Sequence, residues 1–237
     1  MSPSLPPRVL FGAGKQAGHV LSLLEWMGLP WQETVLFDDA FPTLVVGPRG
    51  LPVLGKLEQG IGYCERGPWP AMVALGSKRG ALRYALFRRL ALRGITLPNL
   101  IHQSCIIAPT AQLGSNILAM PGCVLASNVR VGSVCCLFSS VTIEHDAQVA
   151  DNVVFGPRVA VSGYARIGMH AFLGAGALCA PDVTIGERTL VGAGAVVVSN
   201  TAPGAVVVGV PARFRREVRE GDDAPTLPAL KLLGCDR

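Results

Sequence analysis

Apolar residues recur at every sixth position through more than half of this chain. The series starts at Ile101, Ile107, Leu113, Ala119 and Leu125. It continues through Val131, Leu137, Ile143, Val149, Phe155, Val161, Ile167, Leu173, Cys179, Ile185 and Val191 to Val197 without a slip of register. The residue after each anchor is often glycine or small, as at Gly114, Gly132, Ala150, Gly156, Gly168 and Gly192. The residue four after it is small or β-branched almost throughout, as at Ala111, Val129, Val141, Ala147, Val159 and Ala195. A hexapeptide period of this kind predicts a parallel β-helix, each six-residue unit being a short strand and a turn. Three units close a triangular coil. The anchor and the residue four later point inward, and coils stack at the strand spacing of about 4.8 Å. A β-sandwich would need period-two alternation with irregularly spaced turns.

The residues before Pro98 follow other periods. "RVLF" (8–11), "TVLF" (34–37), "AMVAL" (71–75) and "ITL" (95–97) read as strands. Val20, Leu23, Leu24 and Met27 mark one face of a helix stopped by Gly28, and Leu82, Leu86 and Leu90 one side of a second. Strand–helix alternation predicts a small parallel sheet, about half of a dinucleotide-binding fold. The expected architecture is α/β plus β. It places a Rossmann-like domain at 7–98, a β-helix at 99–211, and a tail at 212–237 that opens as a short basic helix.

The chain of 237 residues is 50% hydrophobic and 16% charged, so its hydropathy belongs in packed cores. No apolar run is long enough for a membrane helix, and the N-terminus lacks the pattern of a signal peptide, so a cytoplasmic protein is expected. A net charge of +5 suits an anionic small molecule better than nucleic acid, because no basic run is interleaved with aromatics. The seven cysteines show no CxxC spacing. Cys105, Cys123 and Cys135 fall at the second inward position and Cys179 at an anchor, so they read as small core residues.

Against this background "TIEHDAQVAD" (142–151) stands out. His145 lies two positions after anchor Ile143, at a corner and outside the packed interior, between Glu144 and Asp146. An exposed imidazole held by a carboxylate suits general-base chemistry; a solvated turn histidine is the plainer alternative. Either acid could orient the ring. The intervals from His102 to His145 and from His145 to His170 are 43 and 25 residues, not multiples of a coil, so the three do not stack into a zinc site and no metal is expected. "GAGKQAG" (12–18) follows a strand and opens a helix, a place where backbone N–H groups bind phosphate. Asp38 lies 24 residues beyond Gly14, near where a ribose-binding acid is expected, but the spacing is GxGxxxG.

Taken together, "LPNLIH" (97–102), "MPG" (120–122), "SSVTIEHD" (139–146), "VGAGAVV" (191–197) and "VVVGVPAR" (206–213) resemble the left-handed β-helix acyltransferases. The nearest resemblance is to bacterial nucleotide-4-amino-sugar N-acetyltransferases and sialic-acid O-acetyltransferase-like proteins. It implies acetyl-CoA as co-substrate and transfer to the amino group of a nucleotide-linked amino-sugar. It makes His145 the general base, with Asp146 as its partner. It places acetyl-CoA in the groove between β-helices of a homotrimer, against turn positions Val154, Ala175 and Ala193. It places the nucleotide-sugar at Gly14, Lys15, Gln16, Asp38, Asp39 and Gly76. Sugar O-acetylation and a non-catalytic nucleotide-sugar-binding protein are the alternatives. The chain departs from the family at Lys15-Gln16, often Gly-His there, and at Phe138-Ser139, usually Asn-Thr.

Overall fold

The computed structural model describes residues 7–41, 45–219 and 222. Strands β1 (Val9–Phe11), β2 (Val35–Phe37), β3 (Val53–Gly55) and β4 (Ala71–Val73) form one parallel sheet in the order β3-β2-β1-β4. Their side chains alternate between two apolar faces, as a parallel sheet covered on both sides requires. Leu10, Leu36, Val53 and Met72 pack with helix α1 (Lys15–Trp26). Val9, Phe11, Phe37 and Val73 pack with α2 (Leu57–Glu65) and α3 (Gly80–Leu92).

Two expectations for this region need correction. Residues 95–97 do not form a strand; Thr96 contributes only a carbonyl that accepts the Ala71 N–H. The fourth strand is β3, with α2 behind it, and the sequence reading contains neither. Both are short, and "LPVLGKLEQG" lacks a sustained period of either kind.

From Leu100 onward, seventeen two-residue strands run from β5 (Leu100–Ile101) to β21 (Val196–Val197), each ending on one of the anchors. Each pairs in parallel with a strand one coil away, as Thr142 with Ala160 and Ile143 with Val161. The strands therefore stack into three flat sheets around a core of the inward residues, among them Leu137, Ile143, Phe155, Val161 and Leu173. Every corner from Asn116 to Gly194 holds one residue in the left-handed region, six residues from the next. Only a few of these are glycine; Asn128, Asp146, Tyr164 and even Val134 adopt φ of about 60°. That conformation costs an L-residue roughly 1 kcal/mol or more, so stacking must enforce it.

The residue before each anchor points outward, and the three faces differ in what they present. One carries Leu100, Leu118, Cys136 and Val154, all buried against α1. Burying each Leu or Val there contributes roughly 1.5–3 kcal/mol, enough to fix the N-terminal sheet on the β-helix. A second face carries Gln112, Arg130, Gln148 and Arg166, all exposed. The third carries Ile106, Val124, Thr142, Ala160, Leu178 and Val196: apolar or small, with Ile106 67% exposed.

The start of the tail is also corrected. Arg213–Glu217 is a strand, β23, antiparallel to β22 (Ala205–Val208), and not a helix. The last coil leaves an open sheet edge whose backbone groups need partners, and a segment alternating around Phe214 and Arg216 supplies them. Residues 223–237 lie outside the described residues.

Candidate active site

His145 sits where its register puts it, at the corner after strand β12 (Thr142–Ile143), with its side chain 53% exposed. Its Nδ1 lies 3.0 Å from Asp146 Oδ2. Glu144 is exposed and the ring turns away from it toward Asp146. Asp146 takes φ of 58°, which folds its carboxylate back under the ring. The histidine contact, with a further hydrogen bond from Asn128, holds its pKa below the usual carboxylate range. An ionised Asp146 requires the proton on Nδ1, which leaves the Nε2 lone pair free.

Three neighbours of this pair were not singled out in the sequence, although the coil period would have found them. Asn128 stands 18 residues before Asp146 and donates Nδ2–H to Asp146 Oδ1 at 3.1 Å. Tyr164 stands one coil after Asp146, its ring edge-on to His145 at 5.3 Å between centroids. Gly163 stands one coil after His145 and lies directly against the ring. The signal was the column of residues one coil apart, not the local motif.

The residues expected to hold a nucleotide are brought together only in part. Gly14 caps α1 and Lys15 is its exposed first residue. Gly76 precedes a single 3-10 turn after β4. Asp38 is 1% exposed and fully engaged: it accepts the N–H groups of Ala13 and Ala40 at 2.9 Å and pairs with Arg79 at 2.8 Å. Burial opposes its ionisation; the Ala40 N–H, Arg79 and the Ala13 N–H overcome that, and its pKa is lowered. Asp38 therefore braces the glycine-rich turn from behind. Exposed Asp39 accepts the Leu57 N–H, holding the start of α2. Gln16 turns into the junction, donating to Cys136 Sγ at 3.5 Å.

Both departures from the family pattern meet at that junction. Gln16 contacts Cys136, and His19, one helical turn on, stands edge-on to Phe138 at 5.1 Å. Burial lowers the His19 pKa, so the ring packs as a neutral aromatic. His170 is likewise committed. Its Nδ1 lies 2.7 Å from Asn152 Nδ2 and its ring is edge-on to Tyr84. Burial, then Arg83 and Arg188, push its pKa down to about 4.

Of the three positions assigned to acetyl-CoA, Ala175 and Ala193 are exposed and stack at one corner. They lie so close to the preceding coil that a Cβ on Gly156 would fall 2.6 Å from the Ala175 nitrogen. Val154 is a correction. It lies in strand β14 (Val154–Phe155), not in a turn, and is buried against α1, because its register makes it the outward residue of the covered face. The His145 corner follows the strands of the exposed apolar face, and the Ala175 corner precedes them. An apolar cleft of about 520 Å³ between Arg8, Leu29 and Trp69 involves none of these residues.

No protein-family model matches the chain. Solved structures do. Perosamine N-acetyltransferase from Caulobacter crescentus, as a variant with one histidine replaced by asparagine and in complex with CoA and GDP-perosamine, is 28% identical. The match covers 92% of this chain and 100% of that one, with a TM-score of 0.80. The acetyltransferase domain of PglB from Neisseria gonorrhoeae FA1090, in complex with acetyl coenzyme A, is 27% identical over 88% of this chain and 100% of that one, with a TM-score of 0.78. WeeI from Acinetobacter baumannii AYE is 25% identical over 87% of this chain and 98% of that one, with a TM-score of 0.75.

Proposed function

We propose, from the premise that this chain is an acetyltransferase of the left-handed β-helix kind to which those structures belong, that it transfers acetyl from acetyl-CoA to the amino group of a nucleotide-linked amino-sugar. The observation that carries this is the 3.0 Å contact of His145 Nδ1 with Asp146 at an exposed corner.

A thioester is already an activated acyl donor, so no covalent enzyme intermediate is needed. His145 Nε2 accepts a proton from the sugar amine as its nitrogen bonds to the thioester carbonyl carbon. Asp146 stabilises the imidazolium that results. The tetrahedral oxyanion collapses, the carbon–sulfur bond breaks, and the CoA thiolate leaves with the proton from Nε2. The products are the N-acetyl sugar and the free thiol.

The Rossmann-like reading of the N-terminal region gives the nucleotide its place. In the order β3-β2-β1-β4 the strand direction of growth reverses between β1 and β4. Ligands of open parallel sheets bind beyond the carboxyl ends of the strands at such a switch point. Gly14 and Lys15 follow β1 and Gly76 follows β4, so a ligand in a crevice there would meet their backbone N–H groups and the Lys15 cation. Asp38, Asp39 and Gln16 support that crevice and fit it to the β-helix.

The assembly is a homotrimer. The face carrying Ile106 and Leu178 is apolar yet uncovered, and a second copy of the chain is the occupant that would bury it. Its two bordering corners carry His145 on one side and Ala175 and Ala193 on the other. Packing this face between subunits brings the base of one chain and the acetyl-CoA groove of another to a shared cleft, giving three equivalent sites.

The test is thiol release from acetyl-CoA by the purified chain with a panel of nucleotide amino-sugars. Acceptor-dependent release, lost in His145→Ala, is expected. Saturable nucleotide-sugar binding with no thiol release from any acceptor would overturn the assignment.

A further inference from the structure

The His145–Asp146 pair stands in water, and that is a physical difficulty. An exposed ion pair is screened by solvent and contributes too little to keep a carboxylate on one ring nitrogen while the imidazole gains and loses a proton. Asp146 is the last residue but one of a four-residue corner, with its own side chain free to swing. Something outside the corner has to hold it.

The coils below and above supply two holds. From below, Asn128 Nδ2 donates to Asp146 Oδ1 at 3.1 Å, leaving Oδ2 for His145. Asn128 is itself tied one coil further down, its N–H donating to Thr110 Oγ1 at 2.9 Å. From above, the Tyr164 ring closes on His145, edge to face at 88°. Asn128, Asp146 and Tyr164 all take φ near 60° at equivalent corners, so their side chains leave the backbone in the same direction and stack as a column.

We infer that Asn128 and Tyr164 are positioning residues for His145. Asn128 fixes the Asp146 carboxylate, and Tyr164 restricts the ring's rotation, so that Nε2 faces outward throughout the reaction. This rests on the reading of His145 as the base. Tyr164 is also half exposed beside the His145 ring, so its own ring forms one wall of the space in which the attacking amine must lie.

The test uses Tyr164→Asn, which removes the ring edge from His145, and Asn128→Asp, which keeps the side-chain size; both new residues tolerate positive φ. Kinetics with acetyl-CoA and GDP-perosamine, or another nucleotide 4-amino-sugar that the wild type accepts, are read beside an NMR titration of His145 in the full-length chain. Each variant should lower kcat about 10-fold with KM for acetyl-CoA unchanged. In Tyr164→Asn the His145 ring protons should lose the ring-current shift that an edge-on aromatic imposes, which reports the released ring. In Asn128→Asp the loss should trace to Asp146 turning away from a like charge, and Asn128→Gly should recover part of it. Wild-type kcat and an unmoved His145 titration in both variants would overturn the inference. If that happened while His145→Gln was inactive, the base assignment would survive it; an active His145→Gln would remove both.

Discussion

Gly163 and His145 are in direct contact across one coil. A Cβ built on Gly163 falls 2.7 Å from Cε1 and 2.8 Å from Nε2 of the ring. Glycine is there for space; its φ is one that any residue adopts. The group that would have to yield is the end of an exposed side chain, so the fold should tolerate what the site does not. Gly163→Ala is expected to keep its melting temperature within about 2 °C and to lose roughly 10-fold or more in kcat. Thermal unfolding measured beside turnover separates the two; equal activity would mean that the observed ring position is not the working one.

Replacing the base itself is the sharper measurement. His145→Ala should lower kcat by about 10²–10⁴-fold, the usual contribution of a general base. Its unfolding midpoint should stay close to wild type, because the side chain is half exposed and sits at a corner outside the packed core.

His170 predicts how stability depends on pH. Its pKa is depressed to about 4 in the folded chain from 6.5. The unfolded chain therefore binds a proton first as pH falls, and stability present above pH 6.5 is lost between about 6.5 and 4. Those roughly 2.5 units correspond to about 3 kcal/mol. Asn152, Arg83, Arg188, Asp151 and Tyr84 are the groups facing the ring. Chemical denaturation of wild type and His170→Gln at pH 7 and pH 4.5 should show a smaller loss in the variant; parallel losses would contradict the assignment.

Arg83 is 2% exposed and reaches from α3 to the β-helix, where amide and carbonyl oxygens are its partners among the described residues. Its Nε donates to Asn152 Oδ1 at 2.6 Å, and Nη2 and Nη1 point to the carbonyls of Asn152 and Leu75. Arg83→Ala strips those acceptors of their donor and opens a cavity, which should cost about 3 kcal/mol. Equilibrium unfolding in urea reads it.

The apolar face predicts the oligomeric state. Ile106→Glu with Leu178→Glu should convert the proposed trimer to monomer in sedimentation velocity, with loss of turnover, because carboxylates on a face that packs between subunits cannot be desolvated. A wild type that sediments as a monomer would contradict the shared site.

The sequence by itself determined the six-residue register, the inward residues, and the placement of His145 at an exposed corner, because these follow from a short period repeated without error. It left open whether Glu144 or Asp146 holds the ring. It missed β3 and α2, whose apolar runs are too short to show a period, and it read β23 as a helix, since an edge strand is dictated by the open sheet beside it. The tertiary structure decided what lies one coil away: Gly163 and Tyr164 against the ring, Asn128 on Asp146, and α1 on one face, with Val154 under it. Those contacts join residues that no local pattern relates. Stacking makes neighbours of positions a whole coil apart, and whether two stacked side chains meet is set by the corner backbone and the packing above and below.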